Sequence, residues 1–288
     1  MPNSTGLAWN FGISRSDLRA PFDFPSTRRW LASVLGAVAS ATVGLSSGFG
    51  GLPASAQTPE SAPPELQQLL VEIDEAAAEE DVDGVLKFYS DDFIHADGLN
   101  RDSLEDVLKQ FWERFDNLTY RTELLSWETN EAGEIVAETM TYITGVEILS
   151  NREFALEATM RSRQRYSNDR IVYQEILLEE SQLTSGEKPP TLDVYLPEQV
   201  FPGARYNFDA IVQEPLENDF LIGAAVEQTV SANEYLNVPV IELEALPAGG
   251  VYKLGRASST EGAYWVSALT IRGGGIALVT RRFQVSQE

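Results

Sequence analysis

The chain has 288 residues, 43% of them apolar, a formal charge of −23 and no cysteine. That length accommodates two ordinary domains, and the missing cysteines exclude disulfides, thiolate metal sites and Cys nucleophiles. His95 is the single histidine, which excludes a multi-histidine zinc site, and the acidic surface repels phosphate backbones. Neither a metal, a cofactor nor a nucleic-acid partner is therefore expected.

Residues 1–56 have the three-part order of a signal peptide. A polar, net positive stretch ends in Arg28-Arg29, an uncharged run covers 30–45, and small residues lead to Ala54-Ser55-Ala56. Cleavage is expected before Gln57, with Ala54 and Ala56 presenting small side chains to the peptidase. Arg28-Arg29 followed by Trp30 and Leu31 resembles a bacterial twin-arginine signal. The alternatives are ordinary secretion and an uncleaved anchor, for which the apolar run is short. The expectation is export to the periplasm or beyond, with no membrane contact after cleavage. Removing the four arginines and two aspartates of 1–56 turns 21 basic and 44 acidic residues into 17 and 42, a charge of −25.

Residues 57–64 are rich in Pro, Ser, Ala and Glu and read as a flexible leader. Leu66, Leu69, Leu70, Ile73, Ala76 and Ala77 then recur at helical spacing, and a shorter helix is expected over 82–89. Phe93-Ile94-His95 reads as a brief strand. A third helix is capped by Asn100 or Asp102, with Glu105 three residues beyond Asp102 as a capping-box partner. Its apolar face carries Leu104, Val107, Leu108, Phe111, Trp112 and Phe115.

After Asp116 the period changes to two, and strands are expected over 118–127, 134–148, 152–166 and 171–180. Asn168-Asp169 supplies one of the turns. Ser185-Gly186-Glu187-Lys188-Pro189-Pro190 marks a linker over 183–190. Seven short strands follow within 191–288, the pattern of an all-β sandwich of immunoglobulin-like size. The fold class is thus α+β, with helices and sheet over 65–182 and a separate sandwich behind the linker. Gly273-Gly274-Gly275 lacks the Lys-Ser/Thr of a phosphate loop and reads as a hairpin turn.

Tyr89-Ser90-Asp91-Asp92 and Asn100-Arg101-Asp102-Ser103-Leu104, with the helix-helix-strand-helix-sheet order over 65–182, resemble the nuclear-transport-factor-2-like (NTF2-like, SnoaL-like) superfamily. The resemblance implies a curved sheet wrapped around helices to make a cone with a pocket. It places Asp97 where ketosteroid isomerase carries its catalytic base, with His95 two residues earlier. A carboxylate at an apolar pocket mouth has a raised pKa and could shuttle a proton. Isomerases of the family also need an oxyanion donor such as a tyrosine on the first helix, and none stands between Glu65 and Glu80. The competing reading of Asp97-Gly98 is a turn pair.

Tyr89, Trp112, Trp127, Met140, Tyr142 and Tyr173 are candidates to line the pocket, or to be core. Arg161, Arg163 and Arg165 form a basic row on one sheet face. They meet a second copy or an acidic partner there, or pair across strands with Glu138, Glu175 or Glu179. The same choice applies to Arg281-Arg282. Three functional readings stay open. The first is an exported, non-catalytic protein whose pocket binds a small apolar ligand or a protein partner. The second is an isomerase, dehydratase or cyclase using Asp97 as base, and the third is a structural module that associates through its sheet face.

Overall fold

The structure is a computed structural model that describes residues 56–216, 219–236, 241–246 and 248–287. Residues 1–55 of the expected signal segment, Ala54 among them, lie outside the described residues. Ala56 and Gln57 are described and exposed. The leader is not free: Gln57 and Trp127 exchange two backbone hydrogen bonds of 2.7 and 3.2 Å. A 3-10 turn, Pro59–Ser61, follows, and the Trp127 indole donates to Ser61 Oγ at 3.3 Å. Composition suggested a loose tether, but an open sheet edge supplied backbone partners for it.

The first helix, α1 (Pro64–Ala78), starts with Pro at its first turn and buries Leu66, Leu69, Leu70, Ala76 and Ala77. Asp74 accepts from the Thr122 backbone N–H at 2.6 Å and from its hydroxyl at 2.7 Å, which fastens α1 to the sheet. Asp81 caps α2 (Val82–Leu86). This helix ends three residues before the expected Tyr89, because Tyr89 already pairs with Ile171 as the start of β1 (Tyr89–His95). In α3 (Arg101–Arg114) the cap is Asn100, and its reciprocal partner is Ser103. The Asn100 side chain takes the Ser103 N–H at 2.9 Å, and Ser103 Oγ takes the Asn100 N–H at 2.8 Å. Glu105 is drawn instead to Lys109 one turn on.

Four long antiparallel strands follow: β2 (Asp116–Thr129), β3 (Ile135–Leu149), β4 (Arg152–Ser167) and β5 (Arg170–Gly186). Two-residue turns join the last three, with φ of 51 and 61° at Ser150-Asn151 and 51 and 59° at Asn168-Asp169. Positive φ at both central residues matches the right-handed twist of the flanking strands. The order of helices, strand, helix and sheet over this half is the one that the resemblance implies.

The second half does not fold as a free-standing sandwich. Its strands are β6 (Leu192–Tyr195), β7 (Gln199–Val200), β8 (Arg205–Val212), β9 (Ile222–Thr229), β10 (Glu244–Ala245), β11 (Gly250–Arg256), β12 (Gly262–Arg272) and β13 (Gly275–Val285). β13 pairs with the C-terminal part of β5, from Gly275 opposite Gly186 to Arg281 opposite Glu180. One ten-stranded sheet therefore runs β10-β9-β12-β13-β5-β4-β3-β2, with β1 on β5 and β7 on β13. Residues 183–186 of the expected linker belong to β5. The turn between β12 and β13 contains Gly273 and Gly274 as expected. The close approach needs glycine, since a Cβ on Gly186 would lie 2.5 Å from the Gly274 carbonyl oxygen.

A three-stranded sheet, β11-β8-β6, covers the other face of the β9, β12 and β13 end. Phe208, Ala210, Val266, Val279 and Phe283 form the core between the two layers. The helices cover the opposite face at the β2–β5 end, over Phe93, Trp112, Phe115, Leu156 and Ile171. The large sheet thus carries one core on each face, displaced along its width. Expectations of alternation hold strand by strand, but a strand pattern does not say which sheet a strand joins.

Candidate functional site

Both β1 and β13 lie along the same edge of β5. β1 runs parallel to it as far as His95 opposite Gln174, and β13 runs antiparallel from Arg281 opposite Glu180. Between these contacts β5 carries an irregularity, where Ser162 pairs with Ile176 and Arg161 with Leu178. The two halves of the chain abut at this seam, and a buried polar cluster fills it.

Asp97 lies just past the end of β1, in the turn closed by the Gly98 N–H to the His95 carbonyl at 2.9 Å. Gly98 has φ of 87°, so the turn reading of Asp97-Gly98 describes the backbone correctly. The side chain does something else. Arg282 donates to it in bidentate fashion, Nη2 to Oδ1 at 2.6 Å and Nη1 to Oδ2 at 2.9 Å. Tyr235, from the 3-10 turn Glu234–Leu236, donates its hydroxyl to Oδ2 at 2.6 Å. The Ala232 N–H also reaches the Asp97 carbonyl at 3.1 Å. Arg282 Nη1 further reaches Glu179 Oε2 at 3.3 Å, and the Trp265 indole donates to the same oxygen at 2.8 Å. Side-chain exposures are 5% for Asp97, 5% for Glu179 and 2% for Arg282.

His95 joins the cluster because Asp97 lies beyond the strand, where alternation no longer sends neighbours to opposite faces. The Asp97 backbone N–H donates to His95 Nδ1 at 3.1 Å, so the ring is neutral with its proton on Nε2. Burial drives the His95 pKa down to about 4; the Asp97 charge opposes this and Arg282 assists it. Burial works to raise the Asp97 carboxyl, but the hydrogen bond and charge of Arg282, with His95 and Tyr235, hold it below the usual carboxylate value. Glu179 moves the other way. Burial raises it against the pull of Arg282 and Trp265, so the two carboxyls around the guanidinium are shifted in opposite directions. The arrangement is a buried ion pair with both carboxylate oxygens engaged, not a base poised near neutrality.

The candidate pocket residues divide. Tyr89 and Trp112 are buried under the helices, the Tyr89 hydroxyl donating to Gln174 at 3.3 Å and the Trp112 indole to Tyr120 at 2.9 Å. Burial pushes Tyr89 up to about 12. Trp127 is half-buried against the same core. Met140, Tyr142 and Tyr173 lie on the outer sheet face, because Met140 pairs with Arg161 and Tyr173 with Arg165. There Tyr142 stacks under the Arg121 guanidinium at 4.1 Å, and Tyr173 under that of Arg165 at 5.5 Å.

Arg161 and Arg163 both pair with Glu138, at 2.6 and 2.7 Å, Arg163 also with Glu175 at 3.8 Å, and Arg165 with Glu134 at 3.3 Å. Glu179, the third carboxylate expected for them, faces the other side. Arg281 pairs with Glu180 across β13 and β5.

Sequence reasoning missed Tyr235 and Trp265, and named Glu179 and Arg282 only as possible cross-strand partners, because each comes from a different element and none stands in a local pattern. It also missed a buried polar row on the sheet face below the helices. Thr139 and Ser162 share a hydrogen bond of 3.0 Å, and Gln164 and Gln174 accept from Tyr166 and Tyr89 at 2.5 and 3.3 Å. Elsewhere a cleft of about 540 Å³ is lined by Lys188, Glu214, Asp219 and Arg272, with Arg272 engaged by Asp219 at 2.9 Å. Among the described residues there is no cluster of His, Asp and Glu suited to a metal ion. Nor is any described helix long and apolar enough to cross a membrane.

Residues 187–286 match the family model for a domain of unknown function, DUF8623. No curated protein matches the chain. Among solved structures, Bd1075 of Bdellovibrio bacteriovorus is 14% identical, with a TM-score of 0.29 over 39% of this chain and 40% of that one. A Mycobacterium tuberculosis LEH-like epoxide hydrolase is 13% identical, with a TM-score of 0.27 over 39% of this chain and 80% of the other. A Catenulispora acidiphila protein with a ketosteroid isomerase-like fold, solved with trimethylamine, is 11% identical, with a TM-score of 0.29 over 40% and 85%. These low scores leave the functional reading to rest on the side chains of this chain.

Proposed function

We propose that this is an exported, non-catalytic binding protein with an NTF2-like first unit, in which the carboxylate at the family's base position joins the two halves of the chain. The observation that carries the reading is the engagement of both Asp97 oxygens by three hydrogen bonds. Arg282 and Tyr235 take both of its oxygens, and both residues come from the second half. A general base needs a free lone pair facing its substrate and a pKa near the working pH. Asp97 uses three of about four acceptor sites on these donors, Arg282 holds its carboxyl below the usual value, and the first helix offers no oxyanion donor. The isomerase-type alternative requires Arg282 and Tyr235 to withdraw from Asp97 together.

In this reading the ligand of the first unit is small and mainly apolar. Tyr89, Trp112, Gln164 and Gln174 on the helix-covered face are its candidate contacts. The outer arginine row is engaged with Glu138, Glu175 and Glu134, so it supports pairing within the sheet before any second copy. The experiment is native mass spectrometry of protein purified from its own host, with extraction of any bound small molecule, on the wild type and on Asp97→Asn. The expected result is a retained ligand in both proteins and no turnover of a 3-keto-Δ5-steroid or an epoxide by either. Turnover by the wild type that Asp97→Asn abolishes would overturn the reading.

A further inference from the structure

Three side chains of the second half are large, apolar and turned to solvent on one small sheet: Tyr195 at 60% exposure, Tyr252 at 51% and Leu254 at 68%. Scattered exposed apolar residues are ordinary, but these occupy adjacent positions of one register. β8 is the central strand, and Asp209 stands opposite Tyr252 on one side and Tyr195 on the other. The next position along the same face pairs Leu254 with Asn207. The outer face therefore presents a Tyr–Asp–Tyr row, with an amide and a leucine beside it. Strand spacing sets the two tyrosine positions roughly 10 Å apart across Asp209. The Tyr252 hydroxyl donates to the Ala248 carbonyl at 3.4 Å, which directs that ring along its own strand. Among the described residues no hydrogen bond or ion pair engages the Asp209 carboxylate or the Asn207 amide.

We propose that this face binds a neutral, extended oligosaccharide. Two exposed aromatic rings accept the apolar C–H faces of pyranose rings, and the intervening carboxylate and amide accept and donate hydrogen bonds to hydroxyls. A pyranose unit is about 5 Å long, so a ring on each tyrosine leaves one sugar between them over Asp209. The face measures roughly 10 by 23 Å from strand spacing and rise, a few hundred Å². A stable protein interface buries about 800 Å² per partner, so this area fits a short glycan better than a second copy. Asp209 at the centre disfavours acidic glycans there, while Arg205 opposite Arg256 closes the far end of the face. The proposal is independent of the reading of Asp97.

The test is isothermal titration with cellohexaose, laminarihexaose, chitohexaose and mannohexaose. A flat, exposed site predicts a Kd on the order of 0.1–1 mM for at least one of them. Tyr195→Ala and Tyr252→Ala each weaken that binding about tenfold, the scale of one lost stacking contact, with unfolding midpoints unchanged because both rings are exposed. No binding of any of the four at millimolar concentration, or binding that survives the double alanine variant, overturns the proposal. So does a concentration-dependent dimer in sedimentation that the double variant abolishes, since the face is then a self-interface.

Discussion

Replacing Arg282 by methionine removes the only cation shown between Asp97 and Glu179 while keeping much of the side-chain volume. Asp97 then loses two hydrogen bonds of 2.6 and 2.9 Å in a site where its side chain is 5% exposed. Breaking a buried ion pair from one side costs about 3–5 kcal/mol, because the remaining charge stays buried without its partner. Against a total stability of roughly 5–15 kcal/mol this is a large loss, yet one that leaves folded protein at low temperature. Urea unfolding gives the value, and Asp97→Asn with the double variant closes a cycle. Asp97→Asn alone costs less, because Tyr235 keeps an acceptor and Arg282 turns to Glu179. The double variant should be more stable than the sum predicts, with a coupling energy of about 1.5–3 kcal/mol. A loss below about 1 kcal/mol for Arg282→Met, or no coupling, would refute the idea that this pair joins the halves.

The lone histidine gives a second prediction. The His95 pKa is about 4 in the folded protein, against about 6.5 for the unfolded chain, so only the unfolded chain takes up the proton as pH falls. Stability is therefore full above pH 7 and declines towards pH 4, by ~2 kcal/mol between pH 7 and 5. His95→Asn should lose that component of the slope; identical pH profiles for the two proteins would contradict a buried neutral ring. Asn100→Ala should cost about 1 kcal/mol in urea unfolding through loss of the α3 cap, and Asn100→Ser should recover most of it. Asp74→Ala should cost about 1.5–3 kcal/mol, since its carboxylate holds Thr122 twice, and hydrogen exchange should rise in α1 and at the start of β2. Charge reversal of Arg161, Arg163 and Arg165 should lower stability without changing the sedimenting mass.

Much of the local structure is legible in the sequence because local physics decides it. The stripe from Leu66 to Ala77 and the alternation from Phe154 to Tyr166 both predict their elements closely. Asn168-Asp169 announces its turn through residues that tolerate positive φ. What the pattern does not carry is partnership. β13 reads as a strand in either arrangement, and nothing local to it says that its edge belongs to β5. A Pro- and Gly-containing stretch at 183–190 looks like a boundary, yet its first four residues continue the strand that both halves share. The site follows the same rule. His95 and Asp97 stand out in sequence, while Arg282, Tyr235 and Glu179 reach them from 82 to 187 positions away. Alternation along β3 and β5 could have placed Met140, Tyr142 and Tyr173 on the outer face, because the first two share their phase with Glu138 and the third with Glu175.

The central claim is that Asp97 is an ionised structural carboxylate and not a general base. A carbon-detected NMR titration that follows the Asp97 carboxyl signal from pH 8 to 3 tests it most directly. The prediction is a midpoint below that of an ordinary aspartate, because Arg282 holds the carboxyl below its usual value. A midpoint between pH 5 and 7 would mean a carboxyl poised to accept a proton, and would contradict the account.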